Sequence, residues 1–350
     1  MLGRRTLVGS VLACGAATLT AGCQTTPAQP AGPLRPGEVA AGLRESLEAG
    51  RERFLDCFTA SGTPMGRAWF DTWTSLQSVV LAEREPGVLD VATQVGSEEV
   101  PARVTLNLHQ EGGRISSATA DGPEPIWFRV PAQAYARGEV AVLIARGGAE
   151  SEEWLGAASR AADRLAELLP DHPGHPSLVV EVPVDMHSFV RRYHGEVNPS
   201  TAAFTDVRED SGPRIVLNPE AVEAFATADR FGLLTHEGMH AVLSSPLSRA
   251  PLALVEGLAE WAALPVWPAA HQANARALVA AEATSLPSRE DFTGDQAQVA
   301  SAYARSEVLV AGCVRRWGIA AVVSWIRPGG EPVPDDAVLL EVYREELSRR

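Results

Sequence analysis

The sequence predicts an α+β protein in two parts, and three observations carry that reading. A chain of 350 residues, 45% of them hydrophobic, can bury a substantial core and is long enough for two domains. Runs that alternate apolar and polar residues gather between residues 78 and 144, the period of half-buried antiparallel strands. On either side of them, apolar residues recur at helical spacing. These features set an N-terminal domain of helices and antiparallel sheet over residues 37–148 and a second, helix-rich domain over residues 149–350.

Arg4 and Arg5 precede an apolar run over residues 7–19, and Thr20-Ala21-Gly22-Cys23 closes it with small residues before a cysteine. This resembles a bacterial lipoprotein signal with its lipobox. The resemblance implies removal of residues 1–22, lipidation of Cys23, and a mature protein that is extracytoplasmic and held to the cell membrane by lipid. The run is too short to cross a bilayer as a helix. Residues 23–36, rich in Pro, Ala, Thr and Gly without periodicity, are expected to form a flexible tether.

Residues 37–60 carry Val39, Leu43, Leu47, Phe54, Leu55 and Phe58 at helical spacing and predict one long helix. Trp69, Phe70, Trp73 and Leu76 mark a second, over residues 67–77, with its aromatic face turned to the core. Strands follow around Leu81, Leu89 to Ala92, residues 102–108 and residues 113–115, with Glu111-Gly112-Gly113 as a hairpin turn. Residues 126–130 and 139–144 add two more. Helices followed by a curved antiparallel sheet resemble the cone-shaped NTF2-like fold.

In the second part, residues 151–169 read as a helix stopped by Pro170, residues 178–183 as a buried strand, 186–192 as a short helix and 214–218 as a strand ended by Pro219. Alanine-rich helices are expected over residues 269–283, 296–317 and 320–326. His172 and His175 sit in a proline-rich turn with no carboxylate at ligand spacing, which makes it a surface loop. His109, at a strand end, is expected in solvent.

The net charge of −14 makes nucleic acid and anionic membrane surfaces poor partners, so any membrane attachment is through lipid alone. All 30 basic residues are arginines, a bias of composition. Cys14 leaves with the signal and Cys23 carries lipid; Cys57 and Cys313 remain, either as a disulfide or as two buried thiols.

The chemistry is concentrated in Thr235-His236-Glu237-Gly238-Met239-His240, which reads H-E-x-x-H. Positions i and i+4 share one face of a helix, so His236 and His240 can each offer an imidazole nitrogen to one metal ion. Glu237 stands about 100° round the helix, in reach of a water at the metal without being a ligand, as a general base requires. Thr227 or Asp229 can cap this helix, and Phe231, Leu234, Val242 and Leu243 supply its buried face.

A catalytic zinc takes three protein ligands and keeps one position open. The candidate third ligand is Glu256, in Leu254-Val255-Glu256-Gly257-Leu258-Ala259-Glu260-Trp261, a helix expected to begin near Pro251 after a turn at residues 244–246. Glu260, one turn on, faces the same way and can accept a hydrogen bond from a ligand histidine. His271 is an alternative ligand, less well placed than Glu256.

These two motifs together resemble the gluzincin metallopeptidases, in particular the peptidase-MA-like branch, where H-E-x-x-H is followed by a W/L-x-E-G-x-A-E-type helix. The resemblance implies that His236, His240 and Glu256 bind zinc and that Glu237 activates water. It implies that the strand ahead of the H-E-x-x-H helix, residues 214–218, lies at a sheet edge and holds substrate backbone. Ala302-Tyr303-Ala304-Arg305-Ser306-Glu307 resembles the family's following helix, which makes Tyr303 the candidate donor to an oxyanion. Gly238 stands where the family often has a larger residue, and the interval from His240 to Glu256 is shorter than in many gluzincins. The function expected is hydrolysis of peptide or protein substrates. The alternative is a non-catalytic zinc-binding lipoprotein, a scaffold or binding module with the same fold; Glu237, of no use to a purely structural site, favours the enzyme.

Overall fold

The alternating pattern over residues 78–121 closes into an antiparallel meander of β1 (Ser78–Glu85), β2 (Val88–Gln94), β3 (Ala102–Glu111) and β4 (Arg114–Asp121), in the order β1-β2-β3-β4. In the computed structural model, which describes residues 34–35, 37–145, 150–193, 201–244, 247–279 and 285–350, the chain is a mixed α/β protein. Gly112 and Gly113 both take positive φ (57° and 74°), as a two-residue hairpin turn with the right twist demands. Register pairs Leu81 with Val91 and Leu89 with Leu106, so these side chains share one face and are buried.

That face packs on α1 (Val39–Ala49), α2 (Arg51–Leu55) and α3 (Thr63–Trp73). The single long helix expected over residues 37–60 is broken at Gly50, whose φ of 105° lies in the region that excludes a continuing helix. The strand expected over residues 126–130 does not form. Trp127 and Phe128 instead enter an aromatic cluster with Trp69 and Trp73, and the Trp69 indole N–H donates to the Phe128 carbonyl at 3.0 Å, satisfying the backbone without a ladder.

The signal-like stretch, Cys23 and most of the expected tether lie outside the described residues. At the tether's end Leu34 is buried, and its N–H donates to the Gly113 carbonyl at 2.7 Å. It lies so close over Gly42 of α1 that a Cβ there would meet it at 2.5 Å.

A second sheet of order β5-β6-β7-β9-β8 contains β5 (Gln133–Arg137), β6 (Val140–Ile144), β7 (Leu178–Val182), β8 (Ala203–Arg208) and β9 (Ser211–Leu217). β6, β7 and β9 are parallel, and β5 and β8 run antiparallel at the two edges. β6 and β7 are buried along their whole length, as strands covered on both faces are. β6 was expected to join the first sheet, but it pairs with β7 here. Val140, Val142 and Ile144 face α4 (Ser151–Leu168), while Leu143 joins the core of α1–α3. The described residues from Leu34 onward belong to one compact unit.

The remaining helices are α5 (Met186–Arg192), α6 (Pro219–Val222), α7 (Thr227–Leu243), α8 (Leu252–Ala263), α9 (Ala269–Val279), α10 (Gln296–Trp317), α11 (Ile319–Ile326) and α12 (Asp336–Leu347). The last part of the helix expected over residues 269–283, and the turn residues 245–246, lie outside the described residues. α7 packs between the sheet and α8, α8 against α10, and α10 against α12. Among the described residues no helix is long and apolar enough to cross a membrane. Cys57 and Cys313 are free thiols in different cores.

Candidate metal centre

α7 is capped at its start by Ala226, whose N–H donates to the Asp229 carboxylate at 3.0 Å, and at its end by Ser244 in the left-handed conformation (φ 50°). Nearly every side chain from Gly232 to Ala241 is buried. Gly238 has a packing reason: a Cβ there would come within 2.7 Å of Leu165 on α4 and 3.3 Å of Leu178 on β7. The missing side chain lets the helix lie close to the sheet and α4, which sets the depth of its two histidines.

α8 begins with Pro251 as N-cap rather than as its first helical residue. Its approach to α10 is set at Gly257, where a Cβ would lie 2.4 Å from the Ser306 carbonyl oxygen and 2.8 Å from Val310 Cγ2. Glu256 is thereby held against α7. Three donor atoms meet: His236 Nε2 and His240 Nε2 are 3.3 Å apart, and Glu256 Oε2 is 3.4 Å from the first and 3.3 Å from the second. Among the described residues this is the one grouping of three able to hold a metal ion. A tetrahedral zinc with bonds of about 2.0–2.1 Å needs donor separations of about 3.3–3.4 Å. The triangle therefore has the size of one tetrahedral face, and two imidazoles with a carboxylate are a donor set that suits zinc.

Glu260, 6% exposed, places Oε2 at 3.4 Å from His236 Nδ1. Holding Nδ1 leaves Nε2 as the nitrogen turned to the triangle. The other Glu260 oxygen is 3.4 Å from His271 Nε2, and the His271 ring stacks on Trp267 with centroids 4.5 Å apart. His271 thus meets the site through Glu260 and is not one of the three donors.

Burial alone would push the His236 imidazolium down, but hydrogen bonds to Glu256 and Glu260 and the charge of Glu237 outweigh it and raise its pKa to about 10. Burial would likewise raise Glu256, yet the charge and hydrogen bonds of the two histidines hold it well below the carboxylate range. Glu260 is also lowered, by His236 and His271 against its own burial. The carboxylates of Glu237, Glu256 and Glu260 thus favour positive charge at the two imidazoles.

Tyr303 on α10 packs its ring edge-on to His236 at 5.7 Å and against Phe292 at 5.4 Å. Burial first, and then the charges of Glu256, Glu237 and Glu260, push its pKa well up, so the phenol keeps its proton and remains a donor.

Glu237 is 7% exposed. Its Oε2 accepts from Thr205 Oγ at 2.7 Å, and the same hydroxyl lies 3.0 Å from the Glu237 carbonyl. Thr205 belongs to β8, a strand that the pattern does not predict, because Thr205-Asp206 and Arg208-Glu209-Asp210 interrupt the apolar alternation. The edge expected at residues 214–218 is corrected accordingly. Residues 214–217 fall in β9, which has neighbours on both sides, because residues 203–208 fold back across it as a hairpin and become the edge, and Asn218 caps the next helix.

Among the described residues, His109, His172 and His175 lie apart from the triangle. His109 is exposed, and in the loop His172 Nδ1 lies 3.3 Å from the Gly174 carbonyl while His175 pairs with Asp163 at 3.1 Å. Neither a known protein family nor any curated protein matches this chain.

Proposed function

We propose that this chain is a zinc-dependent peptidase of the gluzincin kind, in the peptidase-MA-like branch, anchored outside the cytoplasm through lipid on Cys23. The observation that carries the proposal is the triangle of His236, His240 and Glu256, sized for one face of a zinc tetrahedron, with the buried carboxylate of Glu237 beside it. On the same reading the N-terminal part, residues 37–148, is an NTF2-like domain of helices and antiparallel sheet.

When bound, zinc polarises the scissile carbonyl and lowers the pKa of water towards 7. Glu237 takes the proton of the attacking water and passes it to the leaving amine as the C–N bond breaks and a C–O bond forms. Tyr303, still protonated, donates to the oxygen on which charge develops. Glu260 holds the His236 ring through Nδ1. Substrate backbone is assigned to the edge strand β8, next to Glu237, in extended form.

A second reading, a zinc-holding scaffold without turnover, is favoured by the burial of the triad, with side chains only 9–16% exposed. One comparison separates the two. His236→Ala or His240→Ala should abolish a stoichiometry near one zinc per chain, and Glu237→Gln should keep the zinc while lowering turnover of a peptide library by about 10²–10⁴-fold. Equal cleavage by wild type and Glu237→Gln refutes the mechanism; zinc in both with cleavage by neither establishes the scaffold.

A further inference from the structure

Four buried charged side chains and the half-buried Asp206 form an unbroken line across the second sheet. Glu98, in the segment between β2 and β3, meets Arg214 of β9 at 2.5 and 2.9 Å and also accepts the Val95 N–H at 2.6 Å. Arg214 Nε lies 3.5 Å from Glu181 of β7, whose other oxygen takes Arg192 Nε of α5 at 3.0 Å. Arg192 reaches Asp206 of β8 at 2.5 Å. Arg214 is 1% exposed, Arg192 3%, and Glu98 and Glu181 4% each.

A buried ion pair is a weak source of net stability, since desolvation cancels most of its attraction, but its direction and register are strict. What this line fixes is β8. Successive residues of a strand point to opposite faces, so Asp206 is held by the ion pairs on one face while Thr205 holds the Glu237 carboxylate on the other. β8 has a ladder with β9 on one side only, and it needs such a clamp more than an interior strand does.

We propose that Thr205 is a positioning residue for Glu237, and that the ion-pair line from Glu98 to Asp206 holds the strand carrying it, so that the segment before β3 helps to set the aim of the base. The part that concerns turnover rests on the peptidase reading; the mechanical part does not.

The test uses the zinc-loaded protein and three measurements: zinc content, hydrogen exchange of the β8 amides, and kcat and KM on a peptide pool. Thr205→Val removes the hydroxyl at constant shape and should keep the zinc and KM while lowering kcat by about 10–100-fold, the scale of a misplaced reacting group. Thr205→Ser, which restores the hydroxyl, should return most of kcat. Glu98→Gln should speed exchange across residues 203–208 by about tenfold or more and lower kcat with zinc retained. Asp206→Asn, at the other end of the line, should give the same pattern and stands in if Glu98→Gln does not fold. Wild-type kcat in Thr205→Val, or unchanged β8 exchange in both charge variants, overturns the proposal. If wild type cleaves nothing, the peptidase reading fails by itself. Exchange in β8, and the Glu237 carboxylate position in a crystal structure of Thr205→Val, then decide the positioning: an unmoved carboxylate overturns it and a displaced one supports it.

Discussion

Glu260 places one oxygen 3.4 Å from His236 Nδ1 and the other 3.4 Å from His271 Nε2, and the two contacts have unequal weight. The first is buried and orients a candidate metal ligand; the second reaches a ring whose side chain is 44% exposed. Glu260→Gln should therefore weaken zinc binding by about 10–100-fold in competition with a chelating dye, and His271→Ala by less. Tyr303→Phe removes a donor but no ligand, so zinc content should hold while kcat falls by about 10²–10³-fold. At this scale His236, Glu237 and His240 were legible because one helix fixes their spacing. Thr205 was not: it lies 32 positions from Glu237 in sequence, and no local pattern marks a threonine that donates to a base.

Between elements, glycines decide how closely the helices approach. A Cβ at Gly257 would stand 2.4 Å from the Ser306 carbonyl oxygen, a backbone atom that moves only if α8 and α10 separate. Gly257→Ala should cost about 1–3 kcal/mol of stability, as overpacking does, seen as a lower Tm, and should weaken zinc binding as Glu256 shifts with α8. Gly238→Ala meets first the Leu165 Cδ1 atom, the end of a side chain that can rotate, and should cost less. The sequence places a glycine in each motif but not its neighbour, because the clash is with an element remote along the chain. Gly50 differs in kind: its positive φ breaks a helix whose apolar spacing runs on through the break.

For the whole molecule, β6 is the decisive strand. It pairs with β5 and β7, and its two faces serve two cores. A chain limited to residues 149–350 loses β5 and β6, exposes the buried strand β7 as an edge, and should fail to reach a native state. The expected result is lost near-UV circular dichroism and poor dispersion in an amide NMR spectrum; a chain starting at Leu34 should show both intact. Cooperative single-transition unfolding of the 149–350 piece would refute this.

By itself the sequence determined what depends on near neighbours: the α+β character, the antiparallel meander and its Gly112-Gly113 turn, the helix with His236 and His240 one turn apart, and Glu260 one turn after Glu256. Helical and strand periods are local properties, set by backbone geometry within a few residues. Only the tertiary structure decided that β6 belongs to the second sheet, that β8 and not β9 is the edge, that His271 stops at Glu260, and that Thr205 reaches Glu237. Each of these depends on which surfaces meet after long loops close, and an apolar alternation reads the same whichever sheet it joins.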